Sequence, residues 1–389
     1  MVATEVPGEH GALGALAGRL LIQCRPAQAG IAAEVAAAYD AGLVLTGKEP
    51  EPAVRGLRRA GFTGPVLCDA DRYSGPGRKN AARGIRPGWC RRQQDLGLVA
   101  LTDSGYLEAR NLQGLRTILR AAARQPPPAL AVLPLAARWF ATTAIAGALV
   151  REIAVHGVPV AVAVESRGDP FAVQYVVRNF LYLLRESPVP VVLLRSDVGA
   201  LGALCHGALA AAIGTVSALR HLYPVTRGQG GRPPRAAAFV TPLLAYHALD
   251  TLDEVIGALP EFDHLWRCEC PVCDGRTPAA LAGLPDETTA AFRHSLHAQF
   301  RLRADLLRPK ATREALASTW HEHCSHALSL HQELAERLPR RRPPAALASW
   351  LAASTDPIRD GAPIPRQEAP AAARPPSRPQ DSPKNLARD

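Results

Sequence analysis

Over the first half of the chain, short apolar runs alternate with segments whose apolar residues return every third or fourth place. The runs RLLIQC (19–24), LVLTG (43–47), PVLCDAD (65–71), GLVALTD (97–103), ALAVLPL (129–135), VPVAVAVES (158–166), VPVVLLRSD (189–197) and GALAAAIG (207–214) read as strands. Between them, GIAAEVAAAYDAG, EPAVRGLRRAGF, LQGLRTILRAAARQ and PFAVQYVVRNFLYLLRES carry helical periodicity and good helix formers. Strand and helix in strict alternation is the pattern of a parallel sheet with crossover helices. Eight such units in succession predict a (β/α)8 barrel over 19–225, after an N-terminal segment 1–18. The rival is a doubly wound open sheet, but no glycine-rich dinucleotide fingerprint follows the first strand.

Past the eighth unit the pattern changes. A Gly, Pro and Arg loop (226–235) leads to a further apolar run, AAAFVTPLLAYH, then to a cysteine cluster and long helices, which defines an appended helical subdomain over 226–338. From Pro339 the chain becomes rich in Pro, Arg and Ala, with one amphipathic piece, AALASWLAAS. The stretch 339–389 therefore reads as a tail unable to bury enough apolar surface to order itself.

The length of 389 residues leaves room for one large domain with appendages or for two modest ones. No apolar run approaches the roughly 18 residues of a spanning helix, and the N-terminus lacks the regions of a secretion signal. No membrane partner and a cytoplasmic location are the expectation. Five of the eight cysteines are scattered singly, which suits a reducing compartment rather than a disulfide framework. The net charge of +10, mostly from Arg, permits a phosphate-bearing partner, although a compositional bias toward Ala, Gly, Pro and Arg accounts for it equally well.

The three remaining cysteines stand together in RCECPVCDGRTP: Cys268, Cys270 and Cys273. Three thiolates at C-x-C-x-x-C spacing wrap a tetrahedral zinc ion when a following helix supplies a fourth ligand, and AFRHSLHAQF offers His294 or His297. One structural Zn2+ per chain is the expected cofactor. HEHCSH (321–326) is a weaker constellation, since histidines on a polar helix face are usually solvated.

CECPVC followed by HSLH resembles the C-x-C-P-V-C and H-N-L-H elements of the tRNA-guanine transglycosylase family. These are zinc-containing (β/α)8 barrels that exchange a guanine in RNA, or in some relatives DNA, for a 7-deazaguanine base. The resemblance spans about 19–305 and implies His294 as the fourth ligand. By strand order it implies Asp69, closing the third strand, as general acid/base. Asp103, closing the fourth with Ser104 and Gly105, falls to base recognition, although LTDSGYL resembles the family's acid/base motif in its letters. The family's eighth strand carries an Asp nucleophile; here Ala212 stands at that position, and a methyl group cannot hold a ribose during exchange. Asp197, closing the seventh strand, is the candidate relocated nucleophile, its other reading being a helix N-cap.

Between Arg72 and Arg92 there are seven Lys and Arg and no acid, with two aromatics interleaved. Arg72, Tyr73, Arg78, Lys79, Trp89 and Arg91 are the expected contacts to an unstacked nucleotide, against the reading of an ordinary solvated loop. Arg227, Arg232 and Arg235 add to that face. The implied partners are tRNA or another nucleic acid and a guanine-like base. The implied assemblies are a homodimer or a heterodimer with a catalytic transglycosylase chain. Three functions are open: base exchange, a noncatalytic accessory or nucleic-acid-binding role, and a barrel enzyme for a small purine-like substrate.

Overall fold

The computed structural model describes residues 11–225 and 235–355. Every expected strand is present and all are parallel: β1 (Arg19–Cys24), β2 (Gly42–Thr46), β3 (Val66–Asp69), β4 (Ala100–Leu101), β5 (Ala129–Ala136), β6 (Val160–Glu165), β7 (Val191–Ser196) and β8 (Ala210–Gly214). Their order, β3-β2-β1-β8-β7-β6-β5-β4, closes on itself except at the seam between β3 and β4. The loops beyond the two strands bridge that seam, at Asn80 and Tyr106. Helices separate successive strands, from Ala29–Ala38 to Gly199–Cys205. The architecture is a nearly closed (β/α)8 barrel.

Alternation within each strand divides the core in two. Leu21, Val44, Leu67, Leu130, Val132, Ala161, Val192, Ala210 and Ala212 fill the interior. Leu20, Ile22, Leu43, Leu45, Val66, Cys68, Val160, Val162 and Ile213 face the surrounding helices. Both sets are apolar, which is why the strands read as continuous runs rather than alternating ones. The same alternation turns Gln23, Thr46 and Asp69 inward at the C-terminal ends of β1, β2 and β3.

An antiparallel hairpin, β9 (Ala237–Val240) and β10 (Ala245–Ala248), begins the appended lobe. The helix Glu287–Leu306 carries it and docks on the barrel. Its Phe300 ring stacks on Tyr39 at 5.1 Å, Arg303 donates to the Gly18 carbonyl at 3.1 Å, and Arg293 pairs with Glu34 at 2.9 Å. A long helix, Arg313–Arg337, follows. None of the described helices is long and apolar enough to cross a membrane.

The expectation of an unordered tail from Pro339 needs correction over its first part. Ala345–Thr355 is a helix, and its Trp350 is buried against Phe171 and Trp320, with ring centroids 5.3 and 5.7 Å away. The apolar face of AALASWLAAS thus covers the outside of the barrel instead of remaining solvated. Residues 356–389 lie outside the described residues, as do Arg227 and Arg232.

Candidate functional site

Cys268, Cys270, Cys273 and His294 come together as the sequence predicts, with all four ligand atoms within 4.8 Å of one another. The His294 Nδ1 atom stands 3.5 Å from the Cys270 sulfur and 3.1 Å from that of Cys273. A tetrahedral ion with bonds of about 2.0 to 2.3 Å sets separations of about 3.5 to 3.8 Å; the Cys270 distance meets this, the Cys273 distance is shorter, and three thiolates with one imidazole are donors that suit zinc. The opposite ring nitrogen, Nε2, donates to the Phe239 carbonyl at 2.8 Å. That bond leaves Nδ1 unprotonated and aimed at the sulfurs, the usual outer partner of a metal-ligating histidine. The sulfurs also perturb one another: hydrogen bonds from Cys268 and Cys273 pull the Cys270 thiol down, while contact with Cys268 and Cys270 pushes Cys273 up.

His297, the alternative ligand, points elsewhere: its Nδ1 meets the Tyr39 hydroxyl at 3.0 Å and ties the lobe to the barrel. HEHCSH forms no metal-binding group among the described residues, and Cys324 faces the core.

At the barrel mouth a buried polar network connects β1, β2, β3 and β7. Asp69 accepts from Gln23 (3.1 Å), the Tyr73 hydroxyl (2.7 Å) and the Asp71 amide (2.9 Å). Arg195, at the end of β7, donates through Nε to Tyr73 at 3.0 Å, pairs with Asp71, and stands 3.7 Å from Asp69. Burial raises the Asp69 carboxyl above its usual value against the pull of Arg195. Burial pushes Asp71 the same way, but Arg195, Ser74 and Arg25 together hold it below.

Sequence reasoning missed Arg195. Counting outward from inward-facing Leu194, Arg195 should face the helices. A register irregularity between Leu193 and Ser196 and a left-handed backbone at Arg195, φ 52°, turn it into the interior instead. A non-glycine residue held in that region is a strained position maintained by its surroundings.

Asp69 and Asp103 therefore close β3 and follow β4, as strand order predicts, but their carboxylates are occupied. Asp103 is fully buried; it accepts from the Arg86 amide at 2.7 Å and pairs with Arg72 at 2.8 Å and with the Arg86 guanidinium. Ser104 bonds Thr102 at 2.8 Å. Gly105 lies against the Asn80 carbonyl, where a Cβ would come within 2.4 Å, so glycine permits the crossing of the seam loops. All three residues expected to read a base thus have contacts within the protein in this structure.

The expected nucleic-acid contacts divide. Tyr73 and Trp89 are buried, the latter donating to the Leu101 carbonyl at 2.9 Å, so neither offers a face for stacking. Arg78 pairs with Glu165 and covers the Tyr106 ring at 3.8 Å. Lys79 and Arg91 are exposed. Lys79 lines a mouth cavity of about 1040 Å³ together with Lys48, Arg55, Asp71, Arg72, Arg86 and Arg92. Lys48, Arg55 and Lys79 form no ion pair among the described residues, whereas Arg72 and Arg86 are held by Asp103, and Arg92 by Glu51 at 2.6 Å. Lys48 and Arg55 follow the second strand and so lie outside the basic stretch after the third.

Asp197 is not brought to Asp69. It caps the Gly199 amide at 3.2 Å, faces His221 at 3.6 Å, and lines a separate cavity with Asp169. Ala212 is buried among the apolar interior residues.

Neither a scan against protein-family models nor a search of curated proteins finds a match to the chain.

Proposed function

We propose that this chain is a tRNA-guanine transglycosylase-like protein that binds nucleic acid and a guanine or 7-deazaguanine base over its barrel mouth. The observation that carries the reading is the Cys3His tetrad beside a (β/α)8 barrel, a combination the CECPVC and HSLH elements had implied. Support for a polyanion comes from the mouth cavity, where Lys48, Arg55 and Lys79 offer unspent positive charge. The tetrad would hold a structural zinc ion and so fix the lobe beside the barrel.

The noncatalytic form of this reading is favoured by three placements. Ala212 supplies no nucleophile, Asp197 serves another cavity, and the oxygens of Asp69 are filled by protein donors. A nucleophile must come within about 3 to 3.5 Å of the anomeric carbon, and of the acids lining the mouth cavity Asp71 is held by Arg195 and Arg25 and Glu51 by Arg92, which leaves only the exposed Glu49 without an ion pair among the described residues. The role is then recognition, alone or as the accessory subunit of a catalytic chain.

Incubation of purified protein with bulk tRNA and labelled guanine tests this. Retained tRNA binding without incorporation of label is expected. Incorporation that Asp197→Asn abolishes would replace the noncatalytic reading with exchange by a relocated nucleophile, and absence of tRNA binding would remove the proposal.

A further inference from the structure

Tyr73 and Trp89 are too buried to stack on a base, but the segment that leaves β8 carries another aromatic ring in the open. Among the described residues five large apolar side chains are exposed, and three of them, Val216, Tyr223 and Val225, lie in this one segment. Apolar residues exposed singly are ordinary, whereas three gathered at the C-terminal end of a barrel strand point to a contact surface. Tyr223 is 38% exposed and is nevertheless held in place. Its hydroxyl shares a hydrogen bond with the Ser217 hydroxyl at 2.7 Å, and His221 meets the ring edge-on at 5.7 Å between centroids.

The ring stands on the same rim as the mouth cavity. Leu222, beside it in the chain, bridges to Glu165 at the end of β6, and the Ser166 amide donates to the Leu222 carbonyl at 2.9 Å. Glu165 in turn holds Arg78, which reaches across the mouth from the seam loop. Both chain neighbours of Arg78, Gly77 and Lys79, line the cavity that also takes in Lys48 and Arg55. One backbone bridge and one ion pair thus connect the exposed tyrosine to a cavity wall with three cations that form no ion pair among the described residues.

We propose that Tyr223, flanked by Val216 and Val225, is a stacking platform for an unpaired base of a single-stranded nucleic acid whose phosphates lie on Lys48, Arg55 and Lys79. The inference rests on the nucleic-acid reading of the mouth and adds the form of nucleic acid it takes. A base inside a duplex has both faces covered by its neighbours, so only an unpaired one offers a face to the ring. Cations along a backbone path beside an exposed aromatic are the parts from which single-strand sites are built, and they accept any base because every base has a π-face. The bonds from Ser217 and His221 fix the ring beforehand, which lowers the ordering cost of binding.

The test uses the full chain and a labelled RNA of about 12 nucleotides, alone and annealed to its complement, read by fluorescence anisotropy. Saturable binding of the single strand to wild type is expected. Tyr223→Ala should weaken it about tenfold and leave the affinity for the duplex within about twofold of wild type. Tyr223→Phe, which keeps the ring, should stay within about threefold. Stacking releases no counterions, so the slope of log affinity against log salt should be the same in Tyr223→Ala as in wild type. The denaturation midpoint shows whether each variant is folded. A folded Tyr223→Ala that binds the single strand as wild type does, an equal loss on the duplex, a changed salt slope, or a Tyr223→Phe as weak as Tyr223→Ala would overturn the platform and leave the polyanion reading in place. Wild type that binds neither form would remove both.

Discussion

The guanidinium of Arg195, at the end of β7, stands 3.0 Å from the hydroxyl of Tyr73, which in turn donates to Asp69 at the end of β3. One cation thus faces a buried acid, Asp69, and a half-buried one, Asp71, across the mouth. Removing it leaves Asp69 without a cation and Asp71 with Arg25 alone. Arg195→Ala should cost about 3 to 5 kcal/mol of unfolding free energy in denaturant titration. A loss under about 1 kcal/mol would mean that the network is not what holds the mouth.

The metal tetrad separates two histidines three residues apart. His294→Ala should lose the approximately one zinc per chain that the four ligands imply, together with several kcal/mol of stability. His297→Ala should keep the zinc and lose only about 1 kcal/mol, for the bond to Tyr39. Elemental analysis of the two variants checks the assignment, and zinc retained in the first would contradict it.

The Asp169 carboxyl makes stability depend on pH in a direction that can be stated. Its folded pKa lies well above the ordinary 3.8, so its contribution is full below that value and is lost as pH rises through the folded pKa. Each unit of elevation costs about 1.4 kcal/mol once the group ionises. The stability of Asp169→Asn relative to wild type should therefore grow between pH 4 and pH 8. Parallel stability curves for the two proteins would contradict the buried, proton-holding carboxyl.

Trp350 seals the helix Ala345–Thr355 onto the barrel. Trp350→Ala should cost about 3 to 5 kcal/mol, the usual loss for a buried aromatic, read from the shift in chemical denaturation. A change within about 0.5 kcal/mol would return this segment to the status of a tail.

Much of this molecule is legible in its residues, for physical reasons that differ by part. The barrel shows because strands apolar on both faces leave continuous runs, and the tetrad shows because zinc geometry demands a narrow spacing. β4 is shorter than its apolar run, GLVALTD, because only β5 pairs with it across an unclosed seam. Arg195 leaves no signal, since a bulge and a left-handed residue reverse the alternation that a reader counts on. Trp89 misleads in the opposite sense. It sits in a basic stretch that looks solvated, yet with Cys90 and Gln93 it forms the buried face of the helix Pro87–Gln94. Pairing also hides: nothing in the letters shows that Arg72 and Arg86 are held by Asp103 while Lys48 and Arg55 have no ion pair among the described residues.

Binding of a polyanion at the barrel mouth is the central functional claim, and the salt dependence of tRNA affinity measures it directly. Wild-type protein should bind labelled bulk tRNA with a steep fall in affinity as salt rises. The combined substitution Lys48→Ala, Arg55→Ala and Lys79→Ala should weaken binding and reduce the slope of log affinity against log salt by about two to three. Wild type that does not bind at moderate salt, or a triple variant with unchanged affinity and slope, would contradict it.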